Sequence, residues 1–198
     1  MLLHEKLLDR RLLLASQSPR RRELLTGCGL PYTLMPGYPC DERYPADLPA
    51  GEVPLFLSRL KSEACPQALA PADVLLTADT VVIAGGRVLG KPRSREEAAA
   101  MLHTLSGSRH TVITGVTLRD TGRTHTFGAR SDVWFRALTD EEIDYYIDRF
   151  RPYDKAGSYG VQEWIGYVGI ERIDGSFYNV MGLPVQKVYT ELEKFLDR

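Results

Sequence analysis

The chain has 198 residues, 43% apolar and 26% charged, with 25 basic and 26 acidic side chains. That length and apolar content support a real core, as one domain, 1–198, or as two closely joined lobes, while the near-zero net charge excludes a global field for nucleic acid or an anionic membrane. Any affinity for anions has to come from a local cluster. Cys28, Cys40 and Cys65 are odd in number and widely spaced, which fits neither a disulfide framework nor a zinc site and favours a reducing, cytoplasmic setting. MLLHEKLLDRR is interrupted by charge too early for a signal peptide or a spanning helix, so no membrane is expected. Residues 12–15 read as a short apolar strand. Ser18 and Pro19 supply an N-cap and a first-turn proline for a helix ending near Gly27 or Gly29. A second helix is predicted over about 51–65. Residues 74–84, VLLTADTVVIA, are too apolar to alternate and predict a strand buried on both faces, turned by Gly85 and Gly86 into 87–89. Ser94 and Glu97 form a capping box before Ala98, Met101, Leu102 and Leu105, which share one helical face. A hairpin of 111–119 and 124–135 follows, then a helix capped by Thr139 and Glu142, the loop DKAGSYGVQ, strands around an Asp174-Gly175 turn, and a helix over about 184–196. The fold class is α/β with a mixed, largely antiparallel sheet, because hairpins sit between the helices.

Two predicted helices begin with acidic residues, as the positive N-terminal end of the helix dipole favours. The first does the opposite: SQSPRRREL places Arg20, Arg21 and Arg22 in its first turn. An anion held by backbone N–H groups and arginine forks relieves that conflict, with Ser16 and Ser18 as further donors. The alternative is a solvated basic face. In TADTVV, Asp79 and Thr80 interrupt an apolar strand; Asp79 is either a structural carboxylate bonding nearby backbone or a general base or metal ligand. GGRVLGKP has the P-loop spacing up to Lys91, but Pro92 stands where Ser or Thr is needed and biases Lys91 away from helical angles. A hairpin nevertheless returns Lys91 towards Asp79, leaving it a phosphate candidate. Lys61, beside Leu57, Leu60 and Ala64, either snorkels past the core or points into a site. No dinucleotide fingerprint, serine nucleophile elbow or paired histidines occur. Nor does an aromatic stripe accompany the arginines, so no nucleic acid is expected as a partner.

In order along the chain, LLLASQSPRRRELL, the Asp41-Glu42 pair, LSRLKSEA around Lys61, ADTVV, LGKP, LSGSRHTVITGV, DKAGSYGVQ and FYNVMGLP resemble the Maf family of nucleoside triphosphate pyrophosphatases. The resemblance covers nearly the whole chain. It implies a two-lobed α/β fold with a central cleft, related in shape to the inosine triphosphate pyrophosphatases. It also implies hydrolysis of a nucleoside triphosphate to monophosphate and pyrophosphate with a divalent metal, Mg2+ or Mn2+. It makes Asp79 the proton acceptor and a metal ligand, and Glu42 a metal or substrate ligand that can exchange roles with Asp41. Ser16, Arg20, Arg21, Lys61, Lys91 and Lys155 become substrate contacts. Arg20, Thr80 and Gln162 become specificity residues, the last two resembling the branch that acts on dTTP and UTP rather than on 7-methyl-GTP. Glu163-Trp164 departs from the Gly that follows this Gln in many members, and Trp164 is equally read as local core packing. The competing function is a nucleotide-binding regulator of cell division with incidental hydrolysis. A nucleotide is the expected partner, and a homodimer is left open.

Overall fold

The computed structural model describes residues 2–197. A short helix α1 (Leu3–Lys6) leads to β1 (Arg11–Leu14) and α2 (Pro19–Gly27), then to β2 (Thr33–Leu34) and α3 (Val53–Glu63). β3 (Asp73–Ala84) turns into β4 (Arg87–Leu89), α4 (Arg95–Leu105) follows, and β5 (Arg109–Arg119) and β6 (Thr124–Phe135) form a long hairpin. The remaining elements are α5 (Asp140–Phe150), a 3-10 turn (Ala156–Ser158), α6 (Trp164–Gly169), β7 (Ile170–Asp174), α7 (Phe177–Met181) and α8 (Val185–Leu196). The strands make one mixed sheet, mostly antiparallel, in the order β2-β1-β3-β5-β6-β7 with β4 paired to β3. The α/β class expected from interleaved hairpins and helices is the one found. Among the described residues no helix is long and apolar enough to cross a membrane.

The chain divides into two compact units. Met1–Asp79, Thr114–Ala129 and Gly182–Arg198 make the first; Thr80–Ile113 and Arg130–Met181 make the second. β3, β5 and β6 each contribute one half to either unit.

In the first unit β1 runs parallel to both β2 and β3, setting Leu12, Leu13 and Leu14 opposite Val74, Leu75 and Leu76. All six side chains are buried. Parallel strands covered on both faces need such unbroken apolar runs, and each buried Leu or Val contributes roughly 1.5–3 kcal/mol. Leu13 and Leu75 continue into a cluster with Met35, Cys65 and Leu69.

In the second unit, β3 and β4 pair antiparallel from Val82–Leu89 to Ala84–Arg87, through Gly85 and Gly86 at φ 55° and 76°. Two successive left-handed residues match the right-handed twist of a hairpin, and glycine adopts them without Cβ strain. α4 and α5 pack on one another, burying Ala98, Leu102 and Leu105 on one side and Ile143, Tyr146 and Ile147 on the other. Met101 stands half-buried at the margin of that face. Thr139 and Glu142 complete their capping box. At α4 only half of the expected box forms: Ser94 Oγ accepts from Glu97 N at 3.2 Å, while the Glu97 carboxylate reaches back to Arg93 N at 2.8 Å.

The strand expected after the Asp174-Gly175 turn is a helix. β7 ends at Asp174, Ser176 Oγ accepts from Asn179 N at 3.3 Å, and α7 begins. A serine cap satisfies a first-turn amide, and the buried Asn179 amide donates to Val112 O and Ser131 Oγ, fixing the helix against the sheet. α6 follows the DKAGSYGVQ loop directly, where the sequence predicts no element.

Candidate active site

Lys61 stands on α3, and three contacts seat that helix in the first unit. The backbone of Gly115 in β5 comes so close to Pro54 that a Cβ there would lie 2.2 Å from the Pro54 carbonyl oxygen. Thr77 Oγ1 in β3 donates to Ser58 O at 2.7 Å, and Arg119 in β5 donates to Ser62 Oγ and Ser62 O at 3.0 and 2.7 Å. Tyr38 adds a fourth anchor by donating its hydroxyl to Lys61 O at 2.7 Å. Burial pushes the Tyr38 phenol pKa up, so it stays a donor.

Held this way, the Lys61 ammonium lies 2.6 Å from Asp79 Oδ1 and 2.9 Å from Glu42 Oε2. Its side chain is 18% exposed and that of Asp79 12%, whereas Glu42 is 52% exposed. A carboxylate this enclosed is tolerated because a cation meets it. The snorkelling reading of Lys61 therefore gives way to the inward one. The structure also separates the acidic neighbours: Asp41 turns outward to Arg43 at 2.7 Å, leaving Glu42 on Lys61. Among the described residues Asp79 Oδ2 takes no hydrogen bond. Two carboxylates thus converge on one ammonium, and carboxylate oxygens are the donor type a divalent ion takes, although among the described residues no group of three or more His, Cys, Asp or Glu gathers to hold one.

The α2 start sits in the same unit. Ser18 has extended angles and Pro19 follows as the first helical residue, but the Ser18 hydroxyl makes no cap hydrogen bond. The buried Ser16 Oγ instead accepts from Ser18 N at 3.2 Å and from Arg21 Nη1 at 3.4 Å. Arg21 also donates from Nη1 to Ala78 O and from Nε to Gly182 O, both at 2.8 Å. It clamps the residue before Asp79 to the residues ahead of α8. Desolvation lowers the Arg21 pKa, against the pull of Asp79, yet guanidinium starts so high that it stays charged. Arg20, half-buried, is the neighbouring arginine.

Lys91, Lys155, Gln162 and Thr80 belong to the second unit. Lys91 is exposed at the end of the β4 hairpin. Lys155 is only 7% exposed, and its ammonium meets Asp154 at 2.7 Å and Glu163 at 3.0 Å. Gln162 Oε1 is a buried acceptor without a hydrogen-bond partner among the described residues. Such an acceptor costs about 1–3 kcal/mol, so a donor from a ligand or a water belongs there. Thr80 follows Asp79 in a strand, and successive residues of a strand point to opposite faces. Trp164 sets its ring edge-on to Tyr145, 4.9 Å between centroids, as a packing residue. Tyr38 and Tyr146 are not marked by the chain's motifs, because Lys61 and Glu163, which they contact, lie 23 and 17 residues along the sequence.

Fold and site together define an α/β protein with a mixed sheet whose central strand carries an enclosed carboxylate paired to a lysine. The chain belongs to the Maf family: the family described as Maf-like protein matches residues 11–195. It is 53% identical to a dTTP/UTP pyrophosphatase of Bacteroides thetaiotaomicron, over 92% of this chain and 95% of that protein. The dTTP/UTP pyrophosphatase of Porphyromonas gingivalis is 54% identical over 93% and 94% of the two chains, and that of Parabacteroides distasonis 51% over 96% and 99%. A solved dITP/XTP pyrophosphatase of Mycobacterium abscessus aligns with a TM-score of 0.37 at 17% identity, over 71% of this chain and 95% of that one, too distant a likeness to carry an argument. The resemblance drawn from eight motifs in order thus holds for the family.

Proposed function

We propose that this protein is a nucleoside triphosphate pyrophosphatase that hydrolyses dTTP and UTP to the monophosphate and pyrophosphate, drawing on a cytoplasmic nucleotide pool. The observation that carries this reading is Asp79, enclosed, paired through Oδ1 to Lys61, and left with Oδ2 for a water. Asp79 is the proton acceptor: it takes a proton from that water as its oxygen bonds to the α-phosphorus, and pyrophosphate departs with the bridging oxygen. Lys61 orients Asp79 through its 2.6 Å contact with Oδ1. Arg20 and Lys91 supply positive charge for the phosphates, and Ser16 has a hydroxyl proton to donate. Glu42 and Asp79 are the residues that would hold Mg2+ or Mn2+, which when bound neutralises triphosphate charge. Gln162 selects the base: its unpartnered Oε1 suits the N3–H of uracil or thymine, and its amide N–H suits the adjoining carbonyl. Thr80, on the strand face opposite Asp79, acts through shape.

The test is a panel of dTTP, UTP, CTP, ATP, GTP and 7-methyl-GTP with Mg2+ and Mn2+, following pyrophosphate directly. UTP and dTTP should give the highest kcat/KM, with pyrophosphate rather than orthophosphate as product. A purine preference would reject the base assignment, and release of orthophosphate alone would reject the reaction.

A further inference from the structure

The segment between Lys155 and Gln162 is strained. Gly157 and Ser158 both lie in the left-handed region, at φ 67° and 62°, and for the serine that conformation costs of order 1 kcal/mol or more. Such backbone persists only where its surroundings over-determine it. A Cβ on Gly157 would meet Val82 at 2.9 Å, and Gly157 N donates to Gly90 O at 3.0 Å, beside Lys91. That secures one side of the segment. Ser158 Oγ donates to Met101 Sδ at 3.2 Å and Tyr159 Oη meets His110 Nε2 at 2.8 Å in the middle of the segment, and its far end, around Gly160, is secured by the Glu163 carboxylate.

Glu163 uses both oxygens. Oε1 meets Lys155 Nζ at 3.0 Å, and Oε2 accepts a short hydrogen bond from Tyr146 Oη. Tyr146 Oη in turn accepts from Gly160 N at 3.0 Å, and Glu163 N closes the turn on Gly160 O at 3.0 Å. The packing leaves no slack, because a Cβ on Gly160 would lie 2.9 Å from Glu163 Cδ and 3.1 Å from Lys155 Cε. Tyr146 is itself fully buried on α5. Burial, reinforced by Glu163, drives its phenol pKa up, so its proton stays on the Glu163 bond and its lone pair remains for Gly160. Lys155, Gly160 and Glu163 are thereby tied to one rigid helix, and Gln162 lies between two of the tied residues.

We infer that Glu163 is a positioning residue for base selection: with Tyr146 it brackets residues 155–162, fixing where the Gln162 amide and the Lys155 ammonium are presented. This rests on the proposed action on pyrimidine triphosphates. It predicts that loosening the bracket costs discrimination before it costs fold. With the bracket open, Gln162 can rotate its amide to serve cytosine, whose N3 accepts, as readily as uracil, whose N3 donates.

The experiment compares the parent, Glu163→Gln, Tyr146→Phe and the double variant, measuring kcat/KM for UTP and CTP and amide exchange of residues 156–163. Each single variant should narrow the UTP:CTP ratio about tenfold, mainly through KM for UTP, and the double variant should narrow it no further, because both act through one bracket. Exchange over 156–163 should accelerate in all three, with α4 and α8 unchanged. An unchanged ratio, or singles whose effects multiply in the double, overturns the inference. If a variant fails to fold, exchange in the other single decides: unaltered protection of 156–163 overturns the bracket. If the parent releases no pyrophosphate from either pyrimidine, the proposed function fails, and the exchange data still judge whether Glu163 holds the segment.

Discussion

Asp79 and Lys61 form the pair on which the proposed chemistry turns, in contact at 2.6 Å, with Glu42 on the same ammonium at 2.9 Å. Asp79→Asn keeps the shape, but the amide cannot accept a proton, so kcat should fall by about 10²–10⁴ with the melting temperature nearly unchanged. Turnover close to the parent's would remove Asp79 from the role. The acidic neighbours offer a sharper contrast. Glu42 shares Lys61 with Asp79, whereas Asp41 is paired outward to Arg43, with its pKa lowered chiefly by the hydrogen bonds from that arginine. Glu42→Gln should therefore raise the metal concentration needed for half-maximal rate by about tenfold or more, while Asp41→Asn leaves it within about twofold. Titrating Mg2+ and Mn2+ against both variants checks this, and equal effects would mean that the division seen around Lys61 does not govern metal binding.

At the scale of elements, α3 depends on a glycine in another strand. A methyl at position 115 would sit 2.2 Å from the Pro54 carbonyl oxygen, a backbone atom that cannot swing away, so α3 has to shift for Gly115→Ala to fold. Overpacking of this kind costs about 1–3 kcal/mol. Lys61 lies two turns further along α3, so the same variant should lose activity beyond its loss of stability. Denaturant midpoints with kcat measured well below the transition separate the two effects, and a stable, fully active Gly115→Ala would show that α3 is not held by this contact. Of the two helices whose first turns carry acidic residues, α5 completes the capping box its sequence indicates, while α4 keeps the Ser94 cap but sends the Glu97 carboxylate to Arg93 N. α7 shows the limit of that reading: YNV suits a strand as readily as a helix, and only the Ser176 cap and the buried Asn179 decide.

For the whole molecule, the sheet encloses His110, which is 2% exposed, hydrogen-bonded through Nε2 to Tyr159 Oη at 2.8 Å, and flanked edge-on by Phe135 and Tyr159. Burial pushes its pKa down to about 4, with Asp132 pulling weakly the other way. In the unfolded chain it returns to about 6.5, so between those values the unfolded state binds the extra proton. Stability is full above about pH 6.5 and falls as pH drops towards 4, by about 3 kcal/mol from this group. Urea midpoints at several pH values should show that slope, and His110→Phe should flatten it; an equally steep slope in the variant would place the cause elsewhere. What the sequence by itself determined are features that depend on near neighbours: the apolar runs of β1 and β3, the capped faces of α4 and α5, the glycine hairpin, and the ordered motifs that mark the family. Asp79 and Lys91 stood out for the same reason, as charges where local rules disfavour them. Tertiary structure alone decided that Lys61 turns inward, that Glu42 rather than Asp41 meets it, that Arg21 clamps protein carbonyls, and that Glu163 brackets the Gln162 loop. Each of these is a pairing between residues far apart in the chain, where propensity and periodicity have no reach, and which carboxylate meets which cation follows only from how the helices seat on the sheet.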